Sequence, residues 1–344
     1  MTNISLADLS RKISSLLKES RQRVIQTVNH TMVLTYFEIG RMIVEEEQKG
    51  RERADYGSQL LSELSLSLTL EFGKGFSITN LQQMRQFYLV YSKQQTLSVE
   101  FEKSQIRSNE FKLSWSHYLK LMRIDDELER RFYEIETYQN NWSLRELNRQ
   151  YDSALFTRLA LSKDKGEILK LAEQGQVIEK AQDVIKDPYV LEFIGLPEQN
   201  TYSESDLEQK LIDKLEHFLL ELGKGYTFVA RQNRISFDDK HFRIDLVFYN
   251  RILRCFVLID LKVGELKHQD IGQMQMYVNY YDRKVKLEDE SKTIGIILCQ
   301  NKSEAVVEFT LPENNTQIFA SKYLTVLPSK ESLIRLIEDQ SNIS

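Results

Sequence analysis

Apolar residues in the first 160 positions recur at the 3.6-residue spacing of helices: Leu9, Ile13, Leu16 and Leu17 lead into Val24, Val28, Met32 and Tyr36. This half therefore reads as almost entirely helical. Gly73-Lys74-Gly75 is placed to close one helix, and Ser77-Ile78-Thr79-Asn80 offers N-caps for the next, which carries Leu81, Met84, Phe87, Tyr88 and Tyr91. Gln82, Gln83, Arg85 and Gln86 lie in front of those apolar residues, an arrangement that suits a recognition helix and equally a solvated face. Between 159 and 202 the pattern is mixed, with breaks at Asp187-Pro188 and Leu196-Pro197, and reads as a helical connector. From 203 onward the period switches back and forth. The expected order is helix 205–222, strands 226–231, 242–249 and 254–262, helix 270–282, strand 293–300, helix 304–310, strand 318–325 and helix 329–339. That order predicts an α/β (α+β) domain built on a mixed sheet flanked by helices. The expected organisation is a helical domain over 1–158, the connector over 159–202 and the sheet domain over 203–344.

Two of these strands carry charge where apolar residues are expected. In Phe242-Arg243-Ile244-Asp245-Leu246-Val247-Phe248-Tyr249, the residues Phe242, Ile244, Leu246 and Phe248 share one phase and Asp245 takes the other. Cys255-Phe256-Val257-Leu258-Ile259-Asp260-Leu261-Lys262 is apolar until its last three residues, and Asp260 and Lys262 share a face. Two carboxylates on adjacent strands repel unless one is protonated or a cation lies between them. A divalent metal with an adjacent ammonium answers this. An ion pair plus a spare carboxylate is the plainer alternative, and it leaves a buried charge uncompensated.

Composition narrows the class without deciding it. Four prolines and thirteen glycines in 344 residues favour helices over long loops. Residues 1–160 hold 22 Lys and Arg against 21 Asp and Glu, and residues 161–344 hold 24 against 30. Binding nucleic acid through bulk charge is therefore disfavoured, although a local basic groove can still track phosphates. Cys255 and Cys299 read as small hydrophobes in strands. The five histidines show no metal-ligand spacing, and no nucleophile-elbow, dinucleotide or phosphate-loop motif occurs; the glycines at 73–75 and 223–225 serve as helix stops. Met1-Thr2-Asn3-Ile4-Ser5 lacks signal-peptide organisation and no apolar run reaches a membrane span, so a cytoplasmic setting with no membrane partner is expected.

A carboxylate followed by Asp-x-Lys at the end of the next strand resembles the PD-(D/E)XK nuclease superfamily, and Gln273-Met274-Gln275-Met276-Tyr277 matches the Gln-x-x-x-Tyr helix of its RecB-like branch. More specifically, Arg243 to Asn250 through Tyr280-Tyr281-Asp282-Arg283 resembles the YhcG-like family of two-domain nucleases. Asn80 to Tyr88, Leu113-Ser114-Trp115-Ser116-His117-Tyr118 and Asn141 to Leu147 resemble its helical N-terminal domain. Ile244 stands where the superfamily's name has Pro, and Asp260 where Glu is commoner.

The resemblance implies a PD-(D/E)XK nuclease domain behind a winged-helix-like N-terminal domain, and a role in foreign-DNA defence or DNA repair. Hydrolysis of a DNA phosphodiester needs an activated water and a sink for charge, which Mg²⁺ supplies through oxygen ligands and for which Mn²⁺ substitutes. Asp245 and Asp260 are the expected ligands, with the Leu261 carbonyl as a third contact, and Lys262 orients the water. In the resembling family a glutamate of the first helix of this domain joins the metal. Glu208, at the edge of the stripe formed by Leu207, Leu211, Leu215, Phe218 and Leu222, is the choice, with Glu204 in reserve. The match likewise gives Gln273 and Tyr277, one turn apart, a role in holding phosphate or water. Lys267 and His268 are placed either to touch the DNA backbone or to lie in a solvated loop. Expected partners are DNA, further copies of the chain and other DNA-processing proteins. The competing reading is a non-cleaving DNA-binding or scaffolding protein that keeps the fold.

Overall fold

The computed structural model describes residues 6–49, 56–92, 111–160, 165–198, 201–237 and 239–341, and the chain divides into two compact units, Met1–Asn148 and Arg149–Ser344. Met1 to Ser5, whose sequence argued against a signal peptide, lie outside the described residues. The first unit comprises α1 (Leu6–Lys49), α2 (Tyr56–Phe72), α3 (Ile78–Ser92), α4 (Trp115–Leu121), α5 (Glu127–Asn140) and the start of α6 (Leu144–Asp152). As expected, α2 stops at a glycine, Gly73 with φ 89°, and the Ser77 hydroxyl caps α3 by accepting from the Asn80 N–H at 3.3 Å. The apolar side of α3 is buried through Leu81, Met84, Phe87 and Tyr91. Its contact with α1 is close at Gly40, where a Cβ would run into the Met84 carbonyl. The Phe87 ring lies 5.0 Å from Phe111 and 5.2 Å from both Trp115 and Tyr118, an aromatic core in offset and edge geometries. Among its described residues this unit has helices and no strand, so the wing implied by the resemblance is not among them.

The second unit continues with α7 (Leu155–Ala160), α8 (Lys165–Gln174), β1 (Tyr189–Val190), α9 (Glu204–Asp213), α10 (Leu215–Leu222), β2 (Tyr226–Phe237), β3 (Lys240–Asn250), β4 (Cys255–Glu265), α11 (His268–Lys284), β5 (Ile294–Asn301), α12 (Glu304–Thr310), β6 (Ile318–Leu324) and α13 (Lys330–Ser341). Six strands form one sheet in the order β1-β6-β5-β4-β3-β2. The β2/β3 and β3/β4 pairs are antiparallel and the rest parallel, which is the mixed sheet expected. One face packs Val257, Ile259 and Leu261 against Leu207 and Leu211 of α9, and Phe218 and Leu222 of α10; the other packs Leu258 and Ile297 against Ile271, Met274, Tyr277 and Val278 of α11.

Two expectations need correcting. Residues 159–202 are more than a helical connector: besides α8, Tyr189 pairs with Tyr323 of β6, and Tyr189, Leu191 and Ile194 are buried in the sheet core. The segment is held by Glu221 of α10, fully buried, which accepts from Arg158 Nη1 at 2.6 Å, the Val190 N–H at 3.0 Å and Arg149 at 3.3 Å. Lys186 donates to the Glu221 carbonyl. Burial alone would raise the Glu221 carboxyl, but Arg158, Lys186 and Arg149 outweigh it and hold the group at about 2. The helix expected over 205–222 is also broken. Lys214, at φ −118° and ψ 31°, leaves the helical region, and the break lets Leu207 and Leu211 before it and Phe218 and Leu222 after it enter the same core.

Candidate active site

The β3/β4 ladder pairs Asn250 with Cys255 through to Leu246 with Ile259, and there it stops. The next residue on each strand is an aspartate, Asp245 on β3 and Asp260 on β4. Beyond that point the strands are joined by a side chain: the Leu261 N–H donates to Asp245 Oδ2 at 2.8 Å. The expected alternation on β3 breaks at the same place, because Leu246 and Phe248 pack on one face of the sheet and Ile244 on the other. Pairing with β5, including Asp260 with Ile297 and Lys262 with Cys299, fixes the backbone of β4 on its other edge. Asp260 is 2% exposed, and its Oδ2 lies 2.7 Å from Lys262 Nζ. That contact is a close ion pair.

A third carboxylate arrives from α9. The helix is started by a reciprocal cap between Ser203 and Asp206, and it buries Glu208 to 5% exposure beside Leu207 and Leu211. Glu208 and Asp245 are bridged by one amide: Gln232 Nε2 donates to Glu208 Oε2 at 2.5 Å and to Asp245 Oδ1 at 3.1 Å. Gln232 lies across from Asp245 on β2, between the Arg231/Leu246 and Asn233/Ile244 pairs, with φ 47°. A left-handed backbone at a non-glycine residue costs about 1–3 kcal/mol and persists only where its surroundings hold it. Arg231 Nε approaches the other Glu208 oxygen to 3.3 Å. Glu204, half exposed, points instead to Lys262 at 3.8 Å.

These surroundings disfavour negative charge. Burial pushes the Asp260 carboxyl up to about 7, with Asp245 and Glu204 adding to the shift and Lys262 opposing it. Burial also raises Asp245, against the Leu261 N–H and Lys262, and raises Glu208, where Asp245 adds and Gln232 and Arg231 oppose. For Lys262 burial works the other way, but Asp260 and Glu204 prevail and keep the ammonium charged.

The Gln273 and Tyr277 side chains do meet, Gln273 Nε2 donating to the Tyr277 hydroxyl. Tyr277 is fully buried and donates in turn to the Arg243 carbonyl at 2.8 Å, so the pair anchors α11 to β3 two residues before Asp245. Lys267 caps α11, its N–H donating to Asp270 at 2.8 Å, and His268 begins the helix. The structure thus brings together Asp245, Asp260, Lys262 and Glu208, and touches Leu261 through its N–H. Gln232 is the central residue that sequence reasoning missed. Its strand was expected to end at 231, and nothing in a glutamine's identity announces a positive φ.

Comparison with known proteins bears on this arrangement. Residues 182–337 match the family described as YhcG PDDEXK nuclease domain, and residues 12–158 match the DUF1016 N-terminal domain. The chain is 40% identical over 341 residues to "Putative nuclease YhcG" of Escherichia coli (strain K12), covering 93% of this chain and 90% of that one. The chain belongs to the YhcG family. Among solved structures, a repair endonuclease from Pyrococcus abyssi is 19% identical over 36% of this chain with a TM-score of 0.26, and an EndoMS–dsDNA complex is 15% identical over 38% with 0.28. The aligned part of this chain spans about half the length of each, 49% and 47%.

PD-(D/E)XK proteins such as those of the YhcG family generally use a divalent metal. The donors here suit one in kind: the site is built of carboxylate oxygens, and one buried oxygen of Asp260 and one of Glu208 are already met by cations, Lys262 and Arg231. They are not drawn together as a finished cage. Among the described residues no group of three or more His, Cys, Asp or Glu side chains is close enough to hold an ion. The Gln232 amide and the Lys262 ammonium occupy the space where positive charge is wanted.

Proposed function

We propose that this chain is a metal-dependent deoxyribonuclease that hydrolyses DNA phosphodiester bonds, with Mg²⁺ as its ion and Mn²⁺ as a substitute. The observation that carries the reading is Asp245 and Asp260 at the end of one strand pair, with Glu208 bridged to Asp245 through Gln232 and the half-buried Lys262 2.7 Å from Asp260. Those carboxylates, with the Leu261 backbone, would hold the metal, which when bound supplies charge for the phosphate and a lowered pKa for water. Lys262 stays cationic and shares a strand face with Asp260, so its ammonium orients the attacking water and meets charge that grows on the phosphate. Gln273 and Tyr277 position this machinery by locking α11 onto β3. Gln232 holds Glu208 and Asp245 side by side.

DNA is the proposed partner, and the helical first unit, with Gln82 and Gln86 exposed on α3, targets or assembles the enzyme. Two buried free thiols, Cys255 and Cys299, favour a reducing cytoplasm, and no described helix is long and apolar enough to cross a membrane. A role in defence against foreign DNA or in repair, alongside other DNA-processing proteins, follows from the same reading. The test is cleavage of linear, circular and branched DNAs with Mg²⁺, Mn²⁺ or EDTA, using wild type and Asp245→Ala. Cleavage that needs the ion and disappears in a folded Asp245→Ala supports the proposal. DNA binding without cleavage under every condition would favour a scaffold that keeps the fold.

A further inference from the structure

We propose that α1 is a dimerisation element: two copies of this chain pair antiparallel along one apolar stripe of α1, and each fills the groove that the other forms between α1 and α2. This inference does not depend on the nuclease reading. At about 100° per residue, Leu9, Ile13, Leu17, Val24, Val28 and Met42 fall within roughly 100° of arc on the helix surface. All six are exposed, from 47% at Leu9 to 63% at Val24. Val33, Phe37, Gly40 and Val44 lie on the opposite side of the helix and are buried in the unit's own core. The stripe therefore cannot be covered by rotating α1 against that core.

From Asp8 to Val28, every described side chain of α1 is exposed. A helix of that length standing alone in water is marginal, because most helical stability in proteins comes from burying an apolar face. Near the other end the stripe runs into an apolar groove of about 640 Å³, where Ile39 and Met42 face Leu64, Leu68 and Phe72 of α2. Such a groove takes an amphipathic helix laid along it. The free half of α1 is one.

Net charge along α1 favours a second copy, and one direction for it. Residues 8–23 hold Arg11, Lys12, Lys18, Arg21 and Arg23 against Asp8 and Glu19, a net of +3, whereas residues 34–49 hold Glu38, Glu45, Glu46 and Glu47 against Arg41 and Lys49, a net of −2. In the acidic half Arg41 is paired to Glu38 and Glu45, Lys49 to Glu46, and Arg85 of α3 to Glu47. An antiparallel pair sets the basic half of one copy on the acidic half of its partner and the stripe of one into the groove of the other, over about 50 Å of helix. A parallel pair would oppose like charges. The arrangement is a closed, self-complementary two-fold contact.

Sedimentation of the full chain should give a dimer at micromolar concentration. The double variant Leu17→Glu, Val24→Glu changes two side chains exposed in the single copy, so it should keep the cooperative thermal unfolding of a folded protein and sediment as a monomer, losing at most the helical signal of the unpaired half of α1. Mixing Ser10→Cys with Met42→Cys and adding a short bismaleimide should link the two variants to each other, and neither to itself. A monomeric wild type, a double variant that remains dimeric, or self-linking of Ser10→Cys in place of the mixed product would each overturn the proposal.

Discussion

Replacing Asp260 by Asn should stabilise the metal-free protein at pH 8, the opposite of what removing a satisfied ion-pair partner does. Asp260 is buried, and that burial, with Asp245 and Glu204, moves its carboxyl from 3.8 up to about 7 despite Lys262. The folded state therefore prefers the neutral acid. Stability contributed by this group is fully present below about 3.8 and is lost as pH rises through about 7, where the folded protein too must ionise. A shift of about three pKa units at ~1.4 kcal/mol each puts the loss near 4 kcal/mol. Asn stays neutral at every pH and keeps an oxygen for Lys262, but it gives up the attraction between the charges. A net gain of about 2 kcal/mol at pH 8 is expected, or a rise in Tm of roughly 4–8 °C for a unit of this size.

Calorimetric scans in EDTA at pH 5 and pH 8 measure this directly. The wild type should lose stability relative to Asp260→Asn between the two pH values, and Mg²⁺ should restore the wild type far more than the variant. If Asp260→Asn is less stable than wild type at pH 8 in EDTA, or the difference ignores pH, Asp260 is an ordinary ion-pair partner and the cation argument fails.

Lys262→Ala should lose cleavage while binding Mn²⁺ as tightly as wild type or tighter by calorimetric titration, because a competing cation is gone; weakened binding with retained cleavage would remove Lys262 from catalysis. Lys262→Arg should also lose activity by orders of magnitude in the cleavage assay, since the planar guanidinium cannot replace an ammonium 2.7 Å from Asp260. Gln232→Ala should lower the melting temperature in EDTA, by leaving Glu208 and Asp245 unbridged, and tighten Mn²⁺ binding, by removing an amide the ion must displace; unchanged binding would make Gln232 a bystander. Glu221→Gln should cost about 3–5 kcal/mol by urea denaturation, because Arg158 and Lys186 lose their counter-charge. The Glu221 carboxyl is held at about 2, so its contribution is present above 4.5 and lost as pH falls toward 2.

Sequence showed the chemistry of the site better than its construction. Asp245, Asp260 and Lys262 were legible because a two-residue period makes a charged residue at a buried strand end conspicuous. Glu208 needed family resemblance, since a glutamate at the edge of an apolar stripe is ordinarily solvated, and only the fold shows it buried beside Gln232. Tyr277 took its expected role from the resemblance alone, and in the structure it is a fully buried residue whose hydroxyl donates to the Arg243 carbonyl. What stayed hidden depends on contacts distant in the chain. β1 is two residues long, too short to show a period, and its anchor Glu221 lies 63 residues from Arg158.

The same physics explains why carboxylates readable as metal ligands are not found as a finished cage. Each carries a substitute for positive charge: the Leu261 N–H and the Gln232 amide on Asp245, that same amide on Glu208, and the Lys262 ammonium on Asp260. A single donor answers one oxygen and one lone-pair direction, so it lowers repulsion without drawing three acids to one point. The price is visible in the left-handed backbone at Gln232. On the proposed reading a divalent ion would be held by Asp245, Asp260 and Glu208 and would supply the positive charge that the Gln232 amide now stands in for. The three should respond together: Mn²⁺ titration followed by amide hydrogen exchange should change protection at Leu261 with the same midpoint at which ion binding is measured. Independent midpoints would mean that the carboxylates do not share an ion.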